Sequence, residues 1–84
     1  MRIDKFLKVS RLIKRREVAK ELCDAGLVLL NNKPAKPSSE VVGGETLVMT
    51  LGRRKLEVRI LDVRPFANKE QAGNLYEIIS DKTI

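Results

Sequence analysis

The apolar periodicity of this 84-residue chain changes at Gly26, and that change decides what it can fold into. Before Gly26, Ile3, Phe6 and Leu7 recur at i, i+3 and i+4, with Lys5 and Lys8 off that face. The spacing predicts an amphipathic helix over about Ile3–Ser10, with Asp4 near its start. A second helix is predicted from about Lys14 to Ala25. Val18, Ala19, Leu22 and Ala25 form its stripe, Leu12 and Ile13 complete the packing between the helices, and Gly26 stands where a C-terminal cap belongs. After Gly26 the period becomes two. "LVLL" reads as a strand, and Asn31-Asn32 tolerate the positive φ of a tight turn. "VVGGE" is a second turn. Leu47, Met49 and Leu51 then alternate with Val48 and Thr50, "GRRK" turns the chain, and Leu56, Val58 and Ile60 alternate with Glu57 and Arg59. Pro65 breaks that strand, Lys69–Gly73 allow one helical turn, and "LYEII" reads as the last strand. The expected fold is α+β: two N-terminal helices packed on a small, mostly antiparallel sheet. At this length, residues 1–84 are expected to be one domain, with a core motif over about 1–64 and a C-terminal extension over about 65–84.

Charge is distributed as unevenly as periodicity. Residues 1–20 hold eight cations and two acids, whereas the other sixty-four hold nine of each, so the whole formal charge of +6 sits in the first quarter. Solubility alone does not need such segregation, which points to a polyanion. The run "RLIKRREVAK", Arg11 to Lys20, concentrates five of these cations. Lys and Arg are good helix formers, and a solvated face is the ordinary reading of such a run. Here, however, Lys14, Arg15 and Arg16 fall at a helix N-terminus, where the macrodipole disfavours cations and a Ser, Thr or Asp cap is expected. A bound phosphate would reverse that penalty. Arg15 falls near the apolar stripe, where it can point off the helix end. Lys33 and Lys36 lie in a turn able to close over the same groove, while Arg53, Arg54 and Lys55 occupy a hairpin tip, a usual place for solubilising charge.

Catalysis finds little support. The chain has no His, one Cys and no glycine-rich phosphate loop. Cys23 reads as a small buried apolar residue and Asp4 as a helix-start residue. A binding protein is expected, not an enzyme, with no cofactor or metal. No apolar run approaches the ~20 residues of a membrane span, and the first residues do not form a signal peptide, so the cytosol is the default compartment. Only Phe6, Phe66 and Tyr76 are aromatic, and Phe6 belongs to the core stripe. Base stacking is therefore discounted in favour of backbone and shape recognition.

The stretch "RIDKFLKVSRLIKRREVAKELCDAGLVLLNNKPAKPSSEVVGGETL" resembles the S4-type RNA-binding domain. Arg2 to Leu7 match that family's opening motif. Arg16, Ala19, Leu22 or Cys23 and Gly26 match its basic helix, and Lys36-Pro37-Ser38 and Gly44-Glu45 its later motifs. Glu45 replaces the family's usual Asp, and Asn32 its usual Gly. "RLIKRR" and "RPFANKEQAGNLYEII" extend the likeness to the short stand-alone members, the RqcP-type subgroup, and more distantly the ribosome-associated heat-shock protein of that domain class. The resemblance implies the α-L arrangement of the helices and a role in ribosome-associated quality control. The implied partners are large-subunit rRNA, the tRNA of peptidyl-tRNA on obstructed large subunits, and RqcH, which adds alanine tails to stalled chains. It further implies a cytoplasmic, ribosome-associated monomer that avoids membranes.

Residues matching the family's motifs, with the basic segment, make the RNA-binding set Arg2, Lys8, Arg11, Lys14, Arg15 and Arg16, with Lys33, Lys36 and Ser38 second. Arg16→Ala is expected to weaken ribosome binding while leaving thermal stability nearly unchanged. Two other classes compete. A helix-turn-helix DNA reader is opposed by Glu17, Glu21 and Asp24 on the second helix's exposed side. A membrane-surface helix is opposed by a short, Trp-free stripe that the two helices need for each other. A general ribosome-associated stress protein is a further alternative within the first class.

Overall fold

A computed structural model describes residues 1–83. Its elements are α1 (Ile3–Val9), α2 (Arg16–Asp24), β1 (Val28–Leu30), β2 (Lys33–Pro34), β3 (Thr46–Leu51), β4 (Arg54–Ile60), α3 (Lys69–Ala72) and β5 (Tyr76–Thr83). The strands form one sheet in the order β2-β1-β3-β4-β5, every pairing antiparallel. The expected α+β class therefore holds.

The core joins the helix stripes to one face of the sheet. Ile3, Phe6 and Leu7 of α1 and Ala19 and Cys23 of α2 are buried in one cluster with Leu47, Met49, Leu56, Val58 and Ile60. Each large side chain so buried contributes about 1.5–3 kcal/mol. Val18 departs from the expected stripe and is 40% exposed. α2 also starts two residues later than the spacing suggested. Lys14 lies in a bend and Arg15 is an extended N-cap at φ −128°, ψ 135°. The buried face centres on Ala19 and Cys23, with Leu22 beside them, and Val18 turns to solvent because it lies about 100° from Ala19 and about 140° from Cys23.

The two helices end differently. At α2, Gly26 has φ 75°, its N–H donates to the Cys23 carbonyl at 3.0 Å, and the Leu27 N–H donates to Leu22 at 3.0 Å. This is a complete Schellman cap on a glycine, as the sequence suggested. At α1 the equivalent left-handed position is Arg11, at φ 63°. Its N–H donates to Lys8 at 3.1 Å, while the Leu7 carbonyl accepts from Ile13 at 3.0 Å. That bond pulls Ile13 into the core and turns the chain toward α2.

Beyond the helices the turn chemistry is local. Asn31 and Asn32, at φ 51° and 66°, join β1 to a two-residue β2 that the alternation pattern missed, because Pro34 reads as a strand breaker. The Glu45 carboxylate accepts from the Val42 N–H at 2.6 Å and the Asn31 amide at 2.8 Å, tying two turns together. β5 runs longer than "LYEII". A bulge beside Glu57 and Val58 leaves Ile79 unpaired, because Ser80 faces Glu57 and Ile78 faces Val58.

Candidate nucleic-acid interface

At the C-terminal end of α1 the chain turns around a surface hollow of about 390 Å³. Lys8, Arg11 and Lys14 line it, with Leu12 and Ile13, and no acidic side chain takes part. Lys8 and Arg11 stand at the negative end of the α1 dipole, where cations are favoured. Lys14 and Arg15 precede the positive end of α2, where they are disfavoured, and no side chain caps that end. Lys8, Arg11, Lys14 and Arg15 are exposed and make no ion pair among the described residues. Arg15, expected near the apolar stripe and able to point off the helix end, is exposed, and its extended N-cap backbone holds it outside the helix.

Arg11 carries a backbone conformation that costs an L-residue other than Gly, Asn or Asp about 1–2 kcal/mol. A glycine would make this cap more cheaply. Strain kept at a solvent-facing arginine is characteristic of a binding site, where the side chain is worth more than the conformation costs.

A second group surrounds Asp4, at the other end of α1. The Asp4 side chain has no exposed surface. One oxygen accepts from Arg2 Nη2 at 3.1 Å; the other accepts from Arg16 Nη2 at 3.3 Å and the Lys5 N–H at 2.7 Å. Burial pushes the carboxyl up, but the Arg16 hydrogen bond, the Lys5 N–H and the charges of Arg16 and Arg2 outweigh it and hold it below its ordinary 3.8. Asp4 is thus an anchor between α1 and α2 rather than merely a helix-start residue. Its cover is thin, because the Arg2 and Arg16 side chains are themselves 46% and 40% exposed. The expectation that Arg16→Ala spares stability is therefore corrected: Arg16 neutralises a buried charge. Its Nε is buried without a hydrogen-bond partner among the described residues.

Lys36 and Ser38 belong with this second group. Their loop is bonded to the start of α1, with the Ile3 N–H donating to Ser39 at 2.7 Å and the Asp4 N–H to Pro37 at 3.3 Å. Ser39 shapes the loop, because its Oγ accepts from the Lys36 N–H at 2.9 Å. Lys36 and Ser38 stay exposed. Lys33, on edge strand β2, does not line that hollow and makes no ion pair among the described residues. Arg54 at the hairpin tip is bound at both ends of its fork by Asp81, at 2.8 and 2.7 Å, so it braces β4 to β5.

Sequence reasoning missed Asp4 as an anchor, although a signal existed. On a helical wheel Asp4 lies about 60° from Leu7, against the apolar face. It also set aside Phe66, which the fold brings beside Lys8, Val9 and Arg11. No local pattern reveals that approach. Cys23 is buried as expected; burial first, then the charges of Asp4 and Asp24, push its thiol up to about 11. No described helix is long and apolar enough to cross a membrane.

The S4 domain family matches residues 1–47, the span holding both cationic groups. A Bacillus subtilis protein named RQC P-site tRNA stabilizing factor is 43% identical over 84 residues, covering 100% of this chain and 98% of that protein. A Listeria monocytogenes protein of the same name is 45% identical over 82 residues, covering 98% and 89%. Among solved structures, the trimeric Vibrio cholerae Heat Shock Protein 15 superposes with a TM-score of 0.88 at 27% identity, covering 95% of this chain and 82% of that one.

Proposed function

The chain belongs to the S4 domain family, among its stand-alone members, and on that footing we propose that it is a non-enzymatic RNA-binding adaptor of ribosome-associated quality control. It binds large-subunit rRNA and the P-site tRNA of obstructed large subunits, and supports RqcH in alanine tailing of the stalled chain. The observation that carries this reading is the unpaired cluster of Lys8, Arg11 and Lys14 around one hollow, assembled on a strained Arg11. An anion bound there relieves the repulsion among these cations and the mismatch with the α2 dipole together. The names of the relatives supply the tRNA and the quality-control context.

Lys8, Arg11, Lys14 and Arg15 act as the primary phosphate ligands. Lys36 and Ser38 extend the surface past α1, while Arg2 and Arg16 contribute only the donors that Asp4 leaves free. Lys33 reaches the RNA from the sheet edge. The test is binding to large subunits carrying peptidyl-tRNA, with bare rRNA, duplex DNA and anionic liposomes as competitors. With six cations not engaged by Asp4 (Lys8, Arg11, Lys14, Arg15, Lys33, Lys36), affinity falls about three-hundred- to two-thousandfold between about 50 and 200 mM salt, at 0.7–0.9 log units per contact. Preference for duplex DNA, or a nearly salt-independent affinity, refutes the proposal.

A further inference from the structure

Phe66 is 81% exposed, the most exposed large apolar side chain among the described residues. With Ala67 it lines a second surface hollow of about 240 Å³, whose other walls are Lys8, Val9 and Arg11. Lys8 and Arg11 therefore line both hollows. On one side of this pair lie Leu12, Ile13 and Lys14; on the other stands a bare aromatic ring. No acidic side chain lines either hollow.

This juxtaposition matches the parts of a nucleotide. Phosphates need cations, and an unpaired base needs a flat apolar surface reached from the same backbone. Resting on the proposed RNA-binding function, the geometry points to Phe66 as a stacking platform for one unpaired nucleobase, whose flanking phosphates are held by Lys8 and Arg11. A protein partner would also cover an exposed phenyl ring, but the two cations and the missing acids favour an anionic polymer. The interface then combines backbone recognition along α1 with selection of single-stranded nucleotides at its C-terminal end. Ring exposure keeps the test clean, because changing Phe66 removes little core packing.

The probes are a single-stranded oligoadenylate and a blunt-ended RNA duplex of equal length, titrated against the full chain and its variants. Phe66→Ala weakens oligoadenylate binding about 5- to 150-fold, the range for loss of one stacked base, and leaves duplex binding and the salt slope unchanged. Phe66→Trp retains binding, whereas Phe66→Leu, apolar but without a π-face, does not. Lys14→Ala weakens both probes and lowers the salt slope by about 0.7–0.9. If Phe66→Ala or Phe66→Leu binds oligoadenylate like the parent while Lys14→Ala still weakens it, stacking is refuted and the phosphate site stands. If Phe66→Ala weakens binding only to intact large subunits and to no naked RNA, the ring docks on ribosomal protein and stacking is refuted. If the parent chain binds neither probe nor large-subunit rRNA, the underlying RNA-binding reading fails.

Discussion

Replacing Arg16 by alanine tests the Asp4 anchor most directly. Removing one partner of a buried ion pair costs about 3–5 kcal/mol when the remaining charge is stranded. Here Asp4 is not wholly stranded, because Arg2 Nη2 and the Lys5 N–H still reach it. Both arginines are also nearly half exposed, so solvent screens the pair and water can enter the space left by the side chain. The cost is thereby reduced to about 1–2 kcal/mol, close to one hydrogen bond to a charged group. For a domain of this size that lowers Tm by roughly 5–15 °C. Thermal melts followed by far-ultraviolet circular dichroism measure it. In the Arg16→Ala background, Asp4→Asn should be less damaging than in the parent, because it removes a charge that has lost a ligand. The pair then shows a coupling of about 0.5–1 kcal/mol. The pH dependence supplies a second reading. Because folded Asp4 titrates below its unfolded value, its contribution is complete above about pH 4 and is lost as pH falls through the folded pKa. In Arg16→Ala the folded carboxyl is less depressed, so that loss is smaller and is complete at a higher pH. A Tm change under 2 °C with an unmoved acid limb refutes the anchor.

Arg11→Gly should stabilise the fold by about 0.5–1 kcal/mol, the relief of αL strain less the added unfolded-state entropy, while weakening RNA binding; a lower Tm overturns the strain argument. Lys14→Ala, at an exposed bend, should reduce RNA affinity in a filter-binding assay and change stability by less than about 0.5 kcal/mol. Cys23, with its thiol raised to about 11, should resist iodoacetamide at pH 8 in the native chain and react on denaturation, as intact mass reports; rapid native labelling would show that it is not buried as described.

Much of the fold was legible because helix stripes and strand alternation are local regularities. Ile3, Phe6 and Leu7 name a face without any knowledge of what covers it, and Asn31-Asn32 name a turn by their own steric tolerance. The start of α2 was misread for a matching reason. Lys14 and Arg15 are compatible with helix, and the bond from Ile13 back to Leu7 holds them outside it. Charge segregation likewise marked the first twenty residues as the place for a polyanion, since it requires only counting.

Counting could not say which of those charges are free. Arg16 meets Asp4 across twelve residues and Arg54 meets Asp81 across twenty-seven, so both are paired within the fold although each stays partly exposed. Phe66 arrives beside Lys8 and Arg11 only because the chain returns to α1 after β4. Local pattern was enough for most of the elements, the core face of α1 and of the strands, and the basic quarter, because neighbouring residues carry that information. Only the tertiary structure decided which cations face solvent, which one sits in strain and which ring stands next to them, because each depends on contacts between segments that no local pattern encodes.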